Sequence, residues 1–437
     1  MKKTIFLIER SNEVKYFGPI IETFQKQKIE IEIFTFISSQ NKNNFKNYLN
    51  FNNVKSNLIK GIKIKRFYNK NKFHDYCIDK NNEISYIFSL VFLSKERFKI
   101  SAEFLDAINT KWCVVGHGAD SFLQFENENT YLKYSVNFFF TSKFFFKEGK
   151  EYIKKFVKHK NIFDTKNVKT HYIGNTMFSK KIFTKKSNFK KKLIYLPFPF
   201  LKERYGKDFA FQAAYSGQFI NYYSFLKNIK KKNIFYSIYY QIKHYILNNL
   251  EIVRYYGAIK NYYQINNELS IVKSIRVFCD KNDFKFIVKP RLKFPFIDKI
   301  YNYADQIIYD EESSQYPTLF QKEISSSDIV IGSLSSSVYE VAMFKLPYVN
   351  IEIPEIAFRS KSNKFFHKYN KNLYYNYNGV VFNYKISNFI KNFQTYNFSK
   401  FKLDKKKSHL YLKKFCGIEN NKQNIGEKVL KVLKNNK

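Results

Sequence analysis

Ser327-Asp328-Ile329-Val330-Ile331-Gly332-Ser333-Leu334-Ser335-Ser336-Ser337-Val338-Tyr339-Glu340 is the stretch whose reading decides the fold. Its apolar run stops at Gly332, as a short buried strand does. Small hydroxyl residues follow, and an apolar-periodic helix over 338–344 comes next. The exposed amides of a helix's first turn, with its dipole, favour an anion. The hydroxyls of Ser335, Ser336 and Ser337 add donors for a phosphate, and Glu340, one turn inside, can accept from a ribose or sugar hydroxyl. A second reading stands beside this one. Ser337-x-x-Glu340 also has the spacing of a capping box, which gives both residues a structural task.

Outward from this stretch the pattern repeats. Downstream lies a strand at 348–351, and upstream lie strands at 193–196, 285–289 and 306–309 with helices at 270–280 and 318–325. The first half carries strands at 4–8, 29–37, 84–93, 112–115, 137–141 and 168–174. Helices are expected at 14–27, at 102–108, and from 141 to 158. The Asn/Lys-rich segments 41–57 and 69–82 read as loops, 174–192 as the linker, and the tail from 383 as polar loops with a final helix near 426–433. Strands alternating with helices argue for parallel sheets. The expectation is therefore α/β: two doubly wound, Rossmann-like domains facing across a cleft. Residues 1–180 would form one domain, 190–385 the second, and 386–437 a tail. Such sheets take ligands beyond the carboxyl ends of their strands.

Composition sets the partners. The 437 residues carry Lys+Arg 76 against Asp+Glu 36, a formal net charge of +40, and 44% are hydrophobic. That is enough apolar material for two cores. The Lys, Asn, Ile, Phe and Tyr excess is what an AT-rich coding sequence produces, but the charge still favours anionic partners. No nucleic-acid-binding signature accompanies it, which weighs against nucleic acid. The cysteines, Cys77, Cys113, Cys279 and Cys416, are scattered with no CxxC pair, a pattern that fits a reducing cytoplasm. The apolar run after Met1-Lys2-Lys3 is cut short by Glu9-Arg10 and reads as a first strand, not a signal peptide. No run approaches the roughly 18 apolar residues of a membrane span.

With its continuation Val341-Ala342-Met343-Phe344-Lys345-Leu346-Pro347-Tyr348-Val349, the serine stretch resembles the C-terminal-domain signature of GT-B transferases. The likeness is greatest to the group of surface-polysaccharide glycosyltransferases and CDP-glycerol glycerophosphotransferases, and the UDP-sugar 2-epimerase fold shares it. The resemblance implies a GT-B fold and a nucleotide-activated donor held by the second domain.

The other site residues follow from strand ends. Gly116-His117-Gly118-Ala119-Asp120 succeeds the strand at 112–115. Its glycines permit a tight turn. His117 can act as base toward an acceptor hydroxyl, and Asp120 can orient it or serve as the base; a structural turn is the alternative. The resembling families carry a His-Gly turn here, which carries over to His117 and Gly118. Lys289-Pro290-Arg291 ends the strand at 285–289, where those families often place a basic residue, a histidine and a proline against the donor phosphates. The histidine is absent, but Lys289 and Arg291 keep the charge; a solvated basic pair is the alternative. Ser216 and Gly217 form a further donor-contact loop. No DxD pair sits on a clear strand end, and no HExxH or P-loop is present, so no metal and no cofactor are assigned. Residues 222–263, dense in Tyr, Phe, Ile and Lys, read as core helix or as a surface for an anionic lipid interface.

The expectation is a metal-independent glycosyltransferase that moves a sugar from a nucleotide-activated donor to a growing surface polysaccharide or lipid-linked glycan. It would work in the cytoplasm, at or near the inner face of the cell membrane. A CDP-glycerol-type polyol-phosphate transferase, a nucleotide-sugar epimerase and a non-enzymatic basic binding protein are the rival readings.

Overall fold

A computed structural model describes residues 2–8, 13–36, 61–67, 70–90, 102–108, 110–116, 136–148, 168–179, 191–197, 268–290, 302–308, 316–333, 335–352, 375–419 and 423–435. The first domain runs β1 (Lys3–Leu7), α1 (Val14–Lys26), β2 (Ile31–Phe36), β3 (Lys63–Phe67), α2 (Lys70–Asp79), β4 (Ile84–Leu90), α3 (Ala102–Ala107), β5 (Lys111–Val115), β6 (Val136–Phe140) and β7 (Val168–Tyr172). Its seven strands lie in the order β3-β2-β1-β4-β5-β6-β7, every pair parallel. A parallel sheet is covered on both faces, so its inner strands read as nearly unbroken apolar runs. β6, Val-Asn-Phe-Phe-Phe, is buried throughout. Phe6 stacks on Phe88 at 4.7 Å, with Phe17 and Phe24 of α1 edge-on to it. The single Trp112 is buried and gives its indole N–H to Ser89 Oγ at 2.8 Å.

Two features here differ from the sequence expectation. Residues 70–79 of the supposed loop are helical, because Phe73 and Cys77 fall one turn apart and bury completely. Phe73 packs edge-on against Phe34 and Phe67, a face that the surrounding Asn and Lys residues conceal. β3 is an additional strand. As the sheet edge it carries Lys65 and Arg66, the charges that edges use against stray pairing.

The second domain runs β8 (Lys191–Leu196), α4 (Glu268–Asn282), β9 (Phe284–Val288), β10 (Gln306–Ile307), α5 (Leu319–Ile324), β11 (Ile329–Gly332), α6 (Ser337–Met343), β12 (Tyr348–Glu352) and β13 (Val381–Lys385). Its six strands follow β10-β9-β8-β11-β12-β13, again all parallel. In each sheet the first strand is an inner one, third from an edge, and the chain winds outward from it in both directions. The places where winding reverses, between β1 and β4 and between β8 and β11, are topological switch points, where doubly wound sheets open a crevice.

The segment beyond β13 is not a run of polar loops. It holds α7 (Ile386–Asn392), α8 (Lys405–Tyr411), a π-helical turn (Leu412–Cys416) and α9 (Ile425–Asn435). Phe389 and Phe393 stack at 4.3 Å inside the core of the second domain. The chain then crosses back to the first. Gly417 adopts φ 62, and a Cβ there would lie 2.1 Å from the Thr141 carbonyl oxygen, so only glycine fits. The Asn175 amide donates to the Cys416 carbonyl at 2.7 Å, and Gln423 Nε2 bonds the Ile173 and Gly417 carbonyls. The start of the supposed linker is therefore packed, with Asn175, Thr176 and Met177 buried. α9 finally lies on α1, where Gly426 sits so close to Thr23 that an added Cβ would be 2.1 Å from its Oγ1. Val429, Leu430 and Leu433 bury in this contact layer, each contributing about 1.5–3 kcal/mol of transfer free energy. One buried cluster reaches from the first sheet through α1 to Val330, Val338 and Tyr348 of the second.

Candidate functional site

The site lies where the two switch points approach one another. α1 starts beyond the carboxyl end of β1, and α6 beyond the carboxyl end of β11. Three of the contacts among the described residues that join the domains here bear on the site. Phe145 meets Tyr339 edge-on at 5.8 Å. Gly18 seats the Tyr316 ring, which leaves no room for a Cβ: one would lie 2.3 Å from the ring. This explains a glycine in the interior of α1, where it otherwise costs helix stability. The third contact is an ion pair. Lys15 Nζ lies 2.7 Å from Glu340 Oε1, with the carboxylate side chain only 1% exposed.

Glu340 is the chemically notable member. Its second oxygen, Oε2, is buried and accepts no hydrogen bond among the described residues. Carboxylate oxygens so placed are costly unless something donates to them. The capping-box reading fails here. The N-cap is Ser336, its side chain makes no cap bond, and Glu340 is committed to Lys15 instead of the helix start.

The serine turn is held by its own chemistry. Tyr375 Oη takes the Ser335 amide and donates to the Ser335 carbonyl at 3.0 Å. Ser335 Oγ accepts from the Ser337 amide at 3.3 Å and donates to Ser337 Oγ at 3.1 Å. The amides of Val338 and Tyr339 bond back to the Ser335 and Ser336 carbonyls. The turn therefore presents hydroxyls, with Ser336 exposed at its tip, more than a row of open amides. Gly332, before the turn, has no room for a side chain, because a Cβ would lie 2.4 Å from Tyr348 Oη.

Lys289 leaves the carboxyl end of β9, next to the central β8, and its ammonium lies 5.2 Å over the Phe320 ring of α5. Its amide bonds the Tyr195 carbonyl at 2.9 Å. Gly116 closes β5, tied to β6 by its amide on the Phe139 carbonyl at 3.0 Å. His117, Gly118, Asp120, Ser216, Gly217 and Arg291 lie outside the described residues, as does the basic aromatic stretch 222–263. Lys15 and Tyr375 are the site residues that sequence reasoning missed. Lys15 pairs across 325 residues of chain, and Tyr375 reaches the serine turn across 40, spacings that no local pattern signals.

All four cysteines are free and buried, and burial pushes each thiol well above its usual range, which makes them poor nucleophiles. Among the described residues no group of three His, Cys, Asp or Glu side chains converges as a metal site needs. Nor, among them, is any helix long and apolar enough to cross a membrane.

No family model matches the chain, and no curated protein matches it. Solved structures do. The wall teichoic acid polymerase TagF superposes with TM-score 0.50 at 13% identity, over 100% of this chain and 90% of that one. The UDP-GlcNAc 2-epimerase from Methanocaldococcus jannaschii gives 0.48 at 11% identity, over 100% of each chain. Arabidopsis thaliana UGT89C1, complexed with UDP-L-rhamnose, gives 0.47 at 9% identity, over 99% and 98%. The architecture is the GT-B fold: two parallel, doubly wound sheets of seven and six strands with flanking helices.

Proposed function

We propose that this chain is a glycosyltransferase that moves a sugar from a nucleotide-activated donor to a growing surface polysaccharide or lipid-linked glycan. The observation that carries the reading is Glu340: a carboxylate buried at the junction of two switch points, one oxygen on Lys15 and the other without a donor among the described residues. A hydroxyl of a nucleotide ribose or of a transferred sugar is the donor such an oxygen calls for.

In this reading residues 190–385 bind the donor and residues 1–180 face the acceptor. Ser335, Ser336 and Ser337 offer hydroxyls to the phosphates, Lys289 and Arg291 offer charge, and Ser216 and Gly217 close on the nucleotide. His117, next to Gly118, takes the proton of the acceptor hydroxyl, with Asp120 orienting it. The acceptor oxygen then bonds the anomeric carbon, whose bond to the nucleotide phosphate breaks. The nucleotide leaves with that electron pair, stabilised by the basic side chains.

The polyol-phosphate rival keeps the same residues and moves a phosphodiester instead; the fold it needs is the one shared with a teichoic acid polymerase. Thermal-shift titration with UDP-, CDP- and GDP-linked donors separates the two, since a ligand that binds the native state raises its apparent stability. A UDP- or GDP-sugar should raise the midpoint of the wild type and less so that of Glu340→Gln. His117→Ala should suppress nucleotide release far more than it weakens donor binding. If no nucleotide-linked donor shifts the midpoint, the transferase reading fails; a shift with CDP-glycerol alone transfers it to the rival.

A further inference from the structure

A concave site, lined by neither Glu340 nor the serine turn, lies where the carboxyl end of β6 meets the C-terminal segment. It is a cleft of about 470 Å³. Lys143 enters from the first domain, Lys413 and Lys414 from the π-helical turn, and Lys428 from α9, with Glu419 as the opposing carboxylate. We propose that this cleft binds a phosphate group, carried on a lipid or on a glycan.

Charge is the first argument. Two well-packed lysines elsewhere in the protein are neutralised: Lys3 lies 3.2 Å from both Glu30 and Glu32, and Lys15 lies 2.7 Å from Glu340. In the cleft, four lysines converge with one exposed carboxylate. Among the described residues none of Lys143, Lys413 and Lys428 forms an ion pair. Burial pulls the half-buried Lys428 ammonium below the usual lysine range, and Glu419 opposes this only in part. Four converging cations against a single carboxylate are what a multiply charged anion neutralises.

Construction is the second argument. Gly417, whose backbone is pressed on the Thr141 carbonyl, forms part of the wall, so the two sides of the cleft are locked together. Ser142 Oγ accepts from the Phe145 amide at 3.2 Å, which leaves its hydroxyl hydrogen to donate. Lys414 is posted 4.3 Å over the Phe144 ring.

The third argument is the rim. Tyr172 and Leu410, 40% and 46% exposed, flank the cleft and are two of the four large exposed apolar side chains among the described residues. An apolar edge beside a basic pocket suits an amphiphile with a phosphate head. The strand that leads into the cleft, β6, adjoins β5, whose last residue, Val115, is followed in sequence by Gly116 and His117. A phosphate held here would anchor an acceptor at the carboxyl end of β6, the strand next to β5. That consequence rests on the transferase reading; the binding itself does not.

The test compares wild type with Lys413→Glu/Lys414→Glu and with Lys391→Glu/Lys402→Glu, which makes the same charge change on exposed lysines outside the cleft. Inorganic diphosphate is titrated calorimetrically, and sedimentation is measured with phosphatidylcholine vesicles with and without phosphatidic acid. The cleft variant should lose about tenfold or more in affinity and the control less than about twofold. Lys143→Gln, on the opposite wall, should lose affinity in the same direction, which keeps the test decisive if the double variant does not fold. Capture by phosphatidic acid vesicles but not by phosphatidylcholine vesicles, competed by diphosphate and lost in the cleft variant, identifies a lipid head; diphosphate binding without vesicle capture identifies a phosphate on a soluble glycan; vesicle capture that diphosphate does not compete overturns the proposal. Equal losses in the cleft and control variants, or no binding of either probe by wild type, overturn the proposal. Donor-nucleotide titration of the same variants stays at the wild-type value if only the cleft is at issue, so this proposal and the transferase reading fail separately.

Discussion

α5 and α6 begin with the same local pattern and use it in opposite ways. At α5, Thr318 and Gln321 complete a capping box: Thr318 Oγ1 accepts from the Gln321 amide and Gln321 Oε1 from the Thr318 amide, both at 3.1 Å. At α6, Ser337 and Glu340 have the same spacing, and neither bond forms. Tyr375 and Ser335 serve the turn in their place, and Glu340 is released to meet Lys15 from the other domain. A motif satisfied within its own turn is scaffold. One left open has its acid buried between the domains, where it pairs with Lys15.

The strongest way to break this contrast is Lys15→Met. It leaves the Glu340 carboxylate buried without its cation, and the expected loss is roughly 3–5 kcal/mol in denaturant unfolding. Adding Glu340→Gln should recover much of it. A loss under about 1 kcal/mol for the single variant would show that the pair carries no more than an exposed surface bridge. Glu340→Gln alone keeps the shape and removes the charge. It should weaken binding of a nucleotide-linked donor by about tenfold, the scale of one hydrogen bond to a charged group. Unchanged affinity would return Glu340 to a structural role.

At the other helix, Thr318→Ala should lower stability by about 1 kcal/mol with no change in nucleotide affinity, because the lost bond is a cap alone. A change in affinity there would erase the distinction between the two turns. The smallest effect is expected from Ser336→Ala. Its side chain caps nothing, so stability should stay within about 0.5 kcal/mol of wild type. Ser336→Leu should leave the fold intact while weakening nucleotide binding through bulk at the tip of the turn.

The sheets were legible because inner parallel strands must be apolar on both faces. Runs such as 112–115 and 329–332 admit little else. What escaped were elements with one buried edge. α2 hides Phe73 and Cys77 among Asn and Lys, and β13 buries Val381 while Phe382, Asn383 and Tyr384 remain half-buried at the sheet edge. The serine turn and Glu340 were visible as a motif, but their partners were not. Capping-box spacing is the same whether the acid turns back or reaches away, and only the approach of Lys15 decides which. The return of the C-terminal segment to the first domain depends on close backbone contact at Gly417 and Gly426, and isolated glycines in a sequence do not announce which surface they touch.

That return has a consequence for how the protein is made. Thr23 and Asn424 touch although 401 residues separate them. A ribosome adds about 5–20 residues per second, so the gap between the synthesis of α1 and of α9 is on the order of tens of seconds. Throughout that interval the face of α1 that α9 covers stays bare, and the nascent first domain is an unfinished surface. Cells would experience it as a prolonged chaperone client, sensitive to translation speed in a way that the finished chain is not.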